Sequence, residues 1–302
     1  MLYRTIHTTS YLYSKPVTVS HHALHLKPRV HERQTYRKHT LEVSPRPTVS
    51  NERTDYFGNP VTVLTMQEPH QKLTVHVVNE VEITPPAPLA HGTPPWEEVR
   101  DVTHADHSLE GLERLQFCFD SPLIKTHPDF SGYALESFTP KRPLIDALTE
   151  LTQRIHKDFK FDPKATTVSS PLHEVFKGRR GVCQDFAHLE IACLRALGLA
   201  ARYVSGYVET APPPDKERLI GADASHAWLA VFCPGCGWID LDPTNNQVRP
   251  PNHITLAWGR DYSDISPIRG VILGGGDHSL KVAVDVIRLT EVSPNGGAET
   301  AR

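Results

Sequence analysis

Cys183 is the residue whose surroundings in the sequence best fit a nucleophile. It follows a break at residues 178–181, which contains two glycines, and lies at the start of segment 182–197, whose Ala and Leu content predicts a helix. Unpaired N–H groups and the positive end of the helix dipole favour a thiolate in the first turn. The same N–H groups can stabilise the oxyanion that forms when sulfur attacks a carbonyl carbon. The segment therefore predicts a nucleophilic cysteine.

A histidine and a carboxylate follow on two predicted strands. His226 begins the strand pattern at 226–232, 43 residues after Cys183, and Asp242 follows the pattern at 237–241. An imidazole on a rigid strand can act as the general base for the thiol. A carboxylate beside it can fix the imidazole tautomer and stabilise the imidazolium. The order Cys, His, Asp therefore predicts a catalytic triad.

Two features near these strands allow more than one interpretation: the cysteine-containing turn between them, and a second aspartate that could orient the histidine. Cys233 and Cys236 bracket a Pro-Gly pair, a tight-turn composition that makes the two strands antiparallel neighbours. Such a cysteine pair can also bind zinc or act in redox chemistry, but the chain has no second pair, and we interpret this one as a turn. Asp240 shares a strand face with Asp242, so spacing alone does not choose between them as the orienting acid.

Several other candidates are interpreted as structural. Cys193 lies in the apolar part of the predicted helix and is assigned to the core. His188 is assigned to the fold, and Asp185 to ordering the helix start through backbone hydrogen bonds. Trp228 and Trp238 are left open between the core and a wall of the active site.

Histidines elsewhere are weak metal candidates. His21, His22 and His25 lie close together, but alternation places His22 on the opposite strand face, which favours a solvated or domain-interface role. His173 and His253 lack the spacing of metal ligands.

The elements that must position the site fall into two groups. Up to about residue 84, β-branched residues and frequent turns predict a small β-sandwich, with strands at 2–13, 17–26, 40–44, 53–57, 61–67 and 73–84. Prolines at 85–96 predict an extended linker or crossover. Beyond it, 141–158 predicts an amphipathic helix, 201–209 a strand, 211–222 a mobile surface loop, and 280–289 a strand that returns to the first domain.

The order of these motifs resembles the transglutaminase-like superfamily. The segments GVCQDFAHL, SHAW and W-x-x-x-DPT are similar to the motifs that hold its three catalytic residues. In that family the acid is the aspartate of DPT, so the resemblance selects Asp242. Residues 6–29, YFGN at 56–59 and DYSDISPIRGV at 261–271 resemble a bacterial branch of the family.

The resemblance implies an α+β fold. It consists of an N-terminal β-sandwich domain with linker at 1–125, a papain-like transglutaminase core at 126–262, and a C-terminal tail at 263–302. In the core, a helix bearing the cysteine packs on an antiparallel sheet. No counterpart of the calcium sites of animal transglutaminases is recognised, so we expect no metal and no cofactor.

The implied activity is thioacyl chemistry by Cys183, His226 and Asp242. We expect a cysteine peptidase or amidase that acts on peptides or proteins. The alternative is a protein-glutamine transamidase, in which an amine replaces water. Two further hypotheses are a catalytically silent binding module and a metal-binding protein that uses the histidines and the CPGC turn.

Composition narrows the expected partners and the expected cellular compartment. The 302 residues carry a formal net charge of -3, so no basic excess exists to neutralise phosphates, and nucleic acid is not an expected partner. No stretch approaches the roughly 20 apolar residues of a membrane span. The five cysteines are an odd number, which argues against a disulfide framework. The N-terminal residues lack a signal-peptide pattern. We therefore expect a cytoplasmic protein without a membrane partner.

Overall fold

The computed structural model describes residues 1–88, 92–209 and 225–289. The strands are β1 Leu2–Leu24, β2 Gln34–Ser44, β3 Val49–Thr54, β4 Pro60–Met66, β5 His70–Ile83, β6 Lys160–Phe161, β7 Arg180–Gly181, β8 Ala201–Tyr207, β9 Ser225–Cys233, β10 Gly237–Asp242, β11 Gln247–Val248, β12 Ile254–Gly259, β13 Ile268–Gly274 and β14 His278–Leu289. The helices are α1 Trp96–Ala105, α2 Leu109–Leu115, α3 Pro128–Leu135, α4 Leu144–Asp158, α5 Leu172–Gly178, α6 Cys183–Ala196 and α7 Tyr262–Ile265. The predicted loop at 211–222 lies outside the described residues.

β1 is the central strand of an antiparallel sheet that has seven strands over the described residues. Its first half lies between β5 and β14, and its second half between β4 and β13. β2 and β3 extend the sheet beyond β5 and β4. Alternate residues of β1 from Tyr3 to Thr9 are buried, so one face of this sheet covers a core.

The N-terminal sheet refines the prediction in two ways. The strands expected at 2–13 and 17–26 are one continuous strand, and the expected sandwich is a single curled sheet. Pro16 does not end β1 because the neighbouring backbone is held by the β13–β14 connection. Ser14 N donates to Asp277 O at 2.8 Å, and Lys15 N donates to Gly275 O at 3.0 Å. These long-range bonds override the local break signal of proline.

The second sheet, here called the core sheet, has the strand order β11-β10-β9-β8-β12. Helix α6 packs on one face of it, where Tyr203, Leu229 and Ile239 join the helix core. The opposite face carries its own cluster, which consists of Val204, Trp228, Ala230, Trp238 and Trp258. The sequence did not predict β12, whose Ile254 and Leu256 join the core of the N-terminal sheet. β12 therefore connects the two sheets.

The predicted fold class is confirmed, because the structure combines a curled antiparallel N-terminal sheet with a helix-bearing antiparallel core. The apolar face predicted for 141–158 is buried in α4 at Leu144, Leu148, Leu151 and Ile155. β14 pairs with β1 along Leu2–Tyr13. The domain boundaries after residues 125 and 262 stay predictions.

No helix within the described ranges is long and apolar enough to span a membrane.

Candidate active site

Cys183 is the first residue of α6 and is half-buried. The start of the helix is fixed by Asp185, whose carboxylate accepts from Val182 N at 2.8 Å and from the Thr166 hydroxyl at 2.6 Å. A Cβ at Gly181 would lie 2.6 Å from that carboxylate, so the glycine lets the chain approach it. The interpretation that Asp185 orders the helix start therefore matches its contacts.

His226 lies between the predicted nucleophile and the predicted acid. Its Nε2 is 2.8 Å from Asp242 Oδ2, and it also hydrogen-bonds the Cys183 side chain. Burial lowers the pKa of His226, but the hydrogen bonds to Asp242 and Cys183 outweigh burial and raise the pKa to about 10. At neutral pH the imidazole is therefore protonated and can donate a proton on each side.

Asp242 is fully buried at the end of β10 and accepts five hydrogen bonds within the described part of the chain. Burial raises the pKa of this carboxyl, but hydrogen bonds from His226 and His253 hold it well below its usual range. The donors to its two oxygens are His226 Nε2 at 2.8 Å, His253 Nε2 at 2.8 Å, Asn245 Nδ2 at 2.7 Å, Thr244 N at 3.0 Å and Asn245 N at 3.1 Å. The carboxylate is thus held both ionised and oriented.

Asp240, the alternative acid, has different partners. Its Oδ1 accepts from Trp228 Nε1 at 3.3 Å, and its Oδ2 accepts from Arg33 Nη1 at 3.3 Å. Asp242 rather than Asp240 therefore contacts His226. The three predicted side chains, Cys183, His226 and Asp242, come together at one end of the core sheet.

Two neighbours of Asp242 were missed as site residues in the sequence analysis. His253 is buried in the irregular segment before β12, and its Nδ1 has no partner among the described residues. Its Nε2 therefore carries the proton that faces Asp242. Asn245 follows the DPT tripeptide and binds the carboxylate through both its amide group and its backbone. The residues after DPT were a local signal for Asn245, whereas nothing local marked His253.

Trp228 forms the wall beside the two histidines. It is fully buried, its ring stacks at 6.2 Å from His226, and its edge meets His253 at 4.8 Å. Trp238 lies further along the sheet and contacts Arg202 instead. The open alternatives for the two tryptophans thus resolve differently, because only Trp228 lies against the site.

Glu190 lies beneath the site on α6 and is fully buried. Burial raises its pKa to about 8, and the nearby Asp242 charge acts in the same direction against the hydrogen bond from Thr152. Thr152 Oγ1 donates to Glu190 Oε1 at 2.8 Å, while Oε2 has no partner in the described chain. Glu190 is therefore mostly a neutral acid at pH 7.

The remaining candidates lie elsewhere. Cys193 is buried in the core, and Cys233 and Cys236 form the β9–β10 turn. His188 is buried and accepts from Tyr262 N at 3.1 Å. Among the N-terminal histidines, His21 contacts Thr65, while His25 contacts Asp55 and Ser266.

Two side-chain groups among the described residues could hold a metal ion. His226, Asp242 and His253 form one, and His127, Asp129 and His173 form the other, with ligand atoms in each group within 4.8 Å of one another. Both groups are already hydrogen-bonded internally, since Asp242 bridges its two histidines and His173 Nε2 lies 2.9 Å from Asp129 Oδ2.

Comparison with known proteins agrees with this architecture. Residues 3–82 match the model of the bacterial transglutaminase-like N-terminal region, and residues 133–243 match the model of the transglutaminase-like superfamily. The chain therefore belongs to the transglutaminase-like superfamily.

Relatives of similar length lie in mycobacteria. An uncharacterized protein of Mycobacterium tuberculosis is 41% identical over 294 residues, which is 94% of this chain and 92% of that protein. One from Mycobacterium leprae is 31% identical over 289 residues, or 95% and 98% of the two chains. A crystal structure named "Putative Cysteine Protease from Cytophaga hutchinsonii" covers 96% of this chain and 91% of its own, with a TM-score of 0.73 and 21% identity. At that identity the likeness concerns the fold.

Proposed function

We propose that this protein is a cysteine peptidase or amidase that forms a thioester on Cys183. The observation that carries the proposal is the position of His226, which hydrogen-bonds both the Cys183 sulfur and the Asp242 carboxylate. A buried carboxylate, an imidazole and a thiol at a helix start are the parts that nucleophilic acyl transfer requires.

The first half-reaction breaks the amide bond. Cys183 sulfur attacks the carbonyl carbon as a thiolate, and the N–H groups of the first turn of α6 stabilise the oxyanion. The His226 imidazolium then gives its proton to the amide nitrogen, the C–N bond breaks, and the amine leaves. The products are a thioester on Cys183 and a neutral imidazole.

The second half-reaction releases the acyl group. Neutral His226 takes a proton from water while the water oxygen attacks the thioester carbonyl, and the Cys183 thiolate leaves as the carboxylic acid forms. Asp242 stabilises the imidazolium that results. Each turnover thus returns the site to its starting ion pair.

Protein-glutamine transamidation is the second candidate. A protein-glutamine gamma-glutamyltransferase of Pseudomonas aeruginosa is 35% identical over 131 residues, which are 39% of this chain and 20% of that protein. In this reaction an amine replaces water in the second half-reaction. Peptide or protein substrates and a reducing cytoplasm, which keeps the thiol free, remain parts of the proposal. A silent binding module is disfavoured because Cys183, His226 and Asp242 are all present.

Acylation of the protein by p-nitrophenyl acetate tests the first half-reaction. We expect a burst of nitrophenolate and one acetyl group on Cys183, located by peptide mass mapping. The burst should be lost in Cys183→Ala and kept in Cys236→Ala, a matched change in a turn away from the site. If wild type and Cys183→Ala acylate equally fast, the proposal fails.

Product analysis then separates the two candidate reactions. With glutamine-containing peptides, hydrolysis yields peptide fragments or glutamate, whereas added methylamine would yield the methylated glutamine amide if the protein is a transamidase. Hydrolysis that methylamine does not divert supports the peptidase or amidase, and diversion of most product supports the transamidase.

A further inference from the structure

The junction between the N-terminal sheet and the core sheet contains alternating arginine and tryptophan side chains. The Arg29 guanidinium carbon lies 3.5 Å from the centre of the Trp258 ring, and that of Arg202 lies 3.6 Å from the same ring. Two cations this close to one ring centre must occupy its opposite faces. Arg202 also lies 4.0 Å from the Trp238 ring. The Arg202 guanidinium is therefore sandwiched between two indoles.

Arg202 is a buried cation without an acceptor in the part of the chain that the structure describes. The residue is 8% exposed, its Nε is buried with no partner, and it forms no hydrogen bond or ion pair with any residue in the described ranges. Burial lowers the pKa of Arg202 to about 9, against the attraction of Asp240. A buried charge that lacks a partner is costly to the fold unless another group supplies the counter-charge.

Arg29 is the second cation without a carboxylate partner in the described chain. Its Nη1 donates to two neutral acceptors, Phe57 O at 2.8 Å and Asn59 Oδ1 at 2.8 Å, and its Nε is buried with no partner among the described residues. Gly58, at φ +76°, brings the YFGN loop so close that a Cβ there would lie 2.9 Å from Arg29 Nη2. The loop thus holds Arg29 over Trp258 without neutralising it.

Both arginines line a cavity of about 620 Å³, here called the junction cavity. Its apolar walls come from aromatic side chains, namely Phe57, Phe117, Phe232, Trp238 and Trp258. A smaller cavity of about 300 Å³ also reaches Arg202. The volume of the junction cavity is in the range of small-molecule sites and exceeds what a bare ion needs.

Within the described chain, no acidic residue of the junction cavity is hydrogen-bonded to Arg29 or Arg202. Asp55 attracts Arg29 across space, but its carboxylate accepts from Phe57 N and Asn59 N in its own turn and contacts His25. Glu110 and Glu113 are exposed at the rim. The third lining cation, Arg114, is paired with Asp106. Among the described residues, the cavity's positive charge without a hydrogen-bonded carboxylate is therefore concentrated at Arg29 and Arg202.

We propose that the junction cavity binds a small organic acid with an aromatic group. Its carboxylate lies against Arg202 and Arg29, because a guanidinium presents paired N–H donors that match the two carboxylate oxygens. Its aromatic part lies against the phenylalanine and tryptophan walls. This site is separate from the Cys183 end of the core sheet and does not depend on the proposed catalysis.

Isothermal titration calorimetry with 3-phenylpropionate and its primary amide, 3-phenylpropionamide, tests the proposal in a chloride buffer. The two probes share a shape and differ in charge. We expect the acid to bind with a dissociation constant of about 1 mM or tighter. The amide should bind at least about tenfold more weakly, because it cannot form charge-assisted hydrogen bonds.

Variants locate the binding. Arg202→Gln and Arg29→Gln should each weaken binding of the acid by about tenfold or more, while Arg114→Gln, whose cation is already paired, should stay within about twofold. Circular dichroism checks the fold, and if Arg202→Gln does not fold, Arg29→Gln decides. The proposal is overturned if the acid does not bind, if the amide binds equally well, or if folded glutamine variants keep full affinity. Loss of binding in Cys183→Ala would also overturn it, because the ligand would then occupy the catalytic end.

Discussion

Two regions on one face of the core sheet differ in how their buried charges are partnered. At the end of β10, Asp242 accepts five hydrogen bonds within the described chain, and each flanking histidine points a nitrogen at it. At the middle of the sheet, Arg202 is buried between two tryptophans and has no acceptor among the described residues. The first region is complete in the protein alone, as preorganised chemistry requires. In the second region, Arg202 has no hydrogen-bonded carboxylate within the described chain, although Asp240 attracts it, and this arrangement fits a site that a ligand completes.

Asp242→Asn is the substitution with the largest expected effect. The amide removes one of the two partners that outweigh burial at His226, so the pKa of the imidazole falls and its tautomer is no longer fixed by a carboxylate. We expect kcat to fall by about 10³-fold or more in the acylation assay. Binding of 3-phenylpropionate should change by less than about threefold, since the carboxylate does not line the junction cavity. Equal losses in both assays would remove the distinction between the two regions.

Glu190→Gln tests whether the buried Glu190 side chain is neutral, through its effect on the free energy of unfolding. The folded pKa of about 8 lies above the ordinary value of 4.5. A raised pKa gives a contribution that is fully present below pH 4.5 and is lost as pH rises through 8. Glutamine has no such dependence, so the variant should gain about 2–4 kcal/mol over wild type at pH 8 and no more than a small difference at pH 4.5.

Urea unfolding at the two pH values measures this difference for Glu190→Gln. Thr152→Val is a useful comparison, because it removes the hydroxyl that donates to Glu190 while keeping the size of the side chain. A Glu190→Gln variant that is less stable than wild type at pH 8 would mean that the carboxyl is ionised and paired in the folded protein.

His253 is expected to position Asp242 for His226. His253→Ala removes one donor at 2.8 Å from the carboxylate, and we expect kcat/KM to fall by about tenfold. His253→Gln can place an amide N–H near the former Nε2 and should recover part of the loss. The pH profile of acylation should also shift in the alanine variant. Unchanged rates and an unchanged pH profile in His253→Ala would limit the role of His253 to packing against Trp228.

Asp240→Asn has the smallest expected effect and tests whether the two regions respond separately to the loss of one nearby carboxylate. Asp240 is two residues from Asp242 on the same strand face, yet it contacts Arg33 and Trp228 and attracts Arg202. Its removal should lower acylation by less than about tenfold and tighten 3-phenylpropionate about threefold, since Arg202 loses a competing negative charge. Weaker binding of the acid would contradict the assignment of the carboxylate to Arg202.

The sequence predicted the parts of the site that have local signals. A glycine break before an apolar helix marked Cys183, and a strand start marked His226. Period-two alternation could not separate Asp240 from Asp242, because both lie on one face. The family resemblance selected Asp242, and Asp242 is the aspartate that hydrogen-bonds His226.

The missed features depend on long-range contacts. His253 lies in a segment without periodicity and is brought to Asp242 by the pairing of β12 with β8. Two strands were predicted at 2–13 and 17–26, but backbone bonds from the β13–β14 connection keep β1 continuous between them. In the sequence, Arg202 is one residue of a predicted strand with no special signal. The packing of the two sheets buries it between indoles. Such tertiary contacts are not encoded in short windows of sequence.

The rate of Cys183 alkylation by iodoacetamide at pH 6 tests the central claim most directly, because alkylation requires a thiolate. Peptide mass mapping would follow Cys183 and Cys236 in wild type and in His226→Ala. We predict that Cys183 reacts at least about tenfold faster than Cys236, and that His226→Ala removes this advantage because the thiolate loses its imidazolium partner. Equal rates at the two cysteines, or a Cys183 rate unchanged in His226→Ala, would contradict an ion pair between Cys183 and His226.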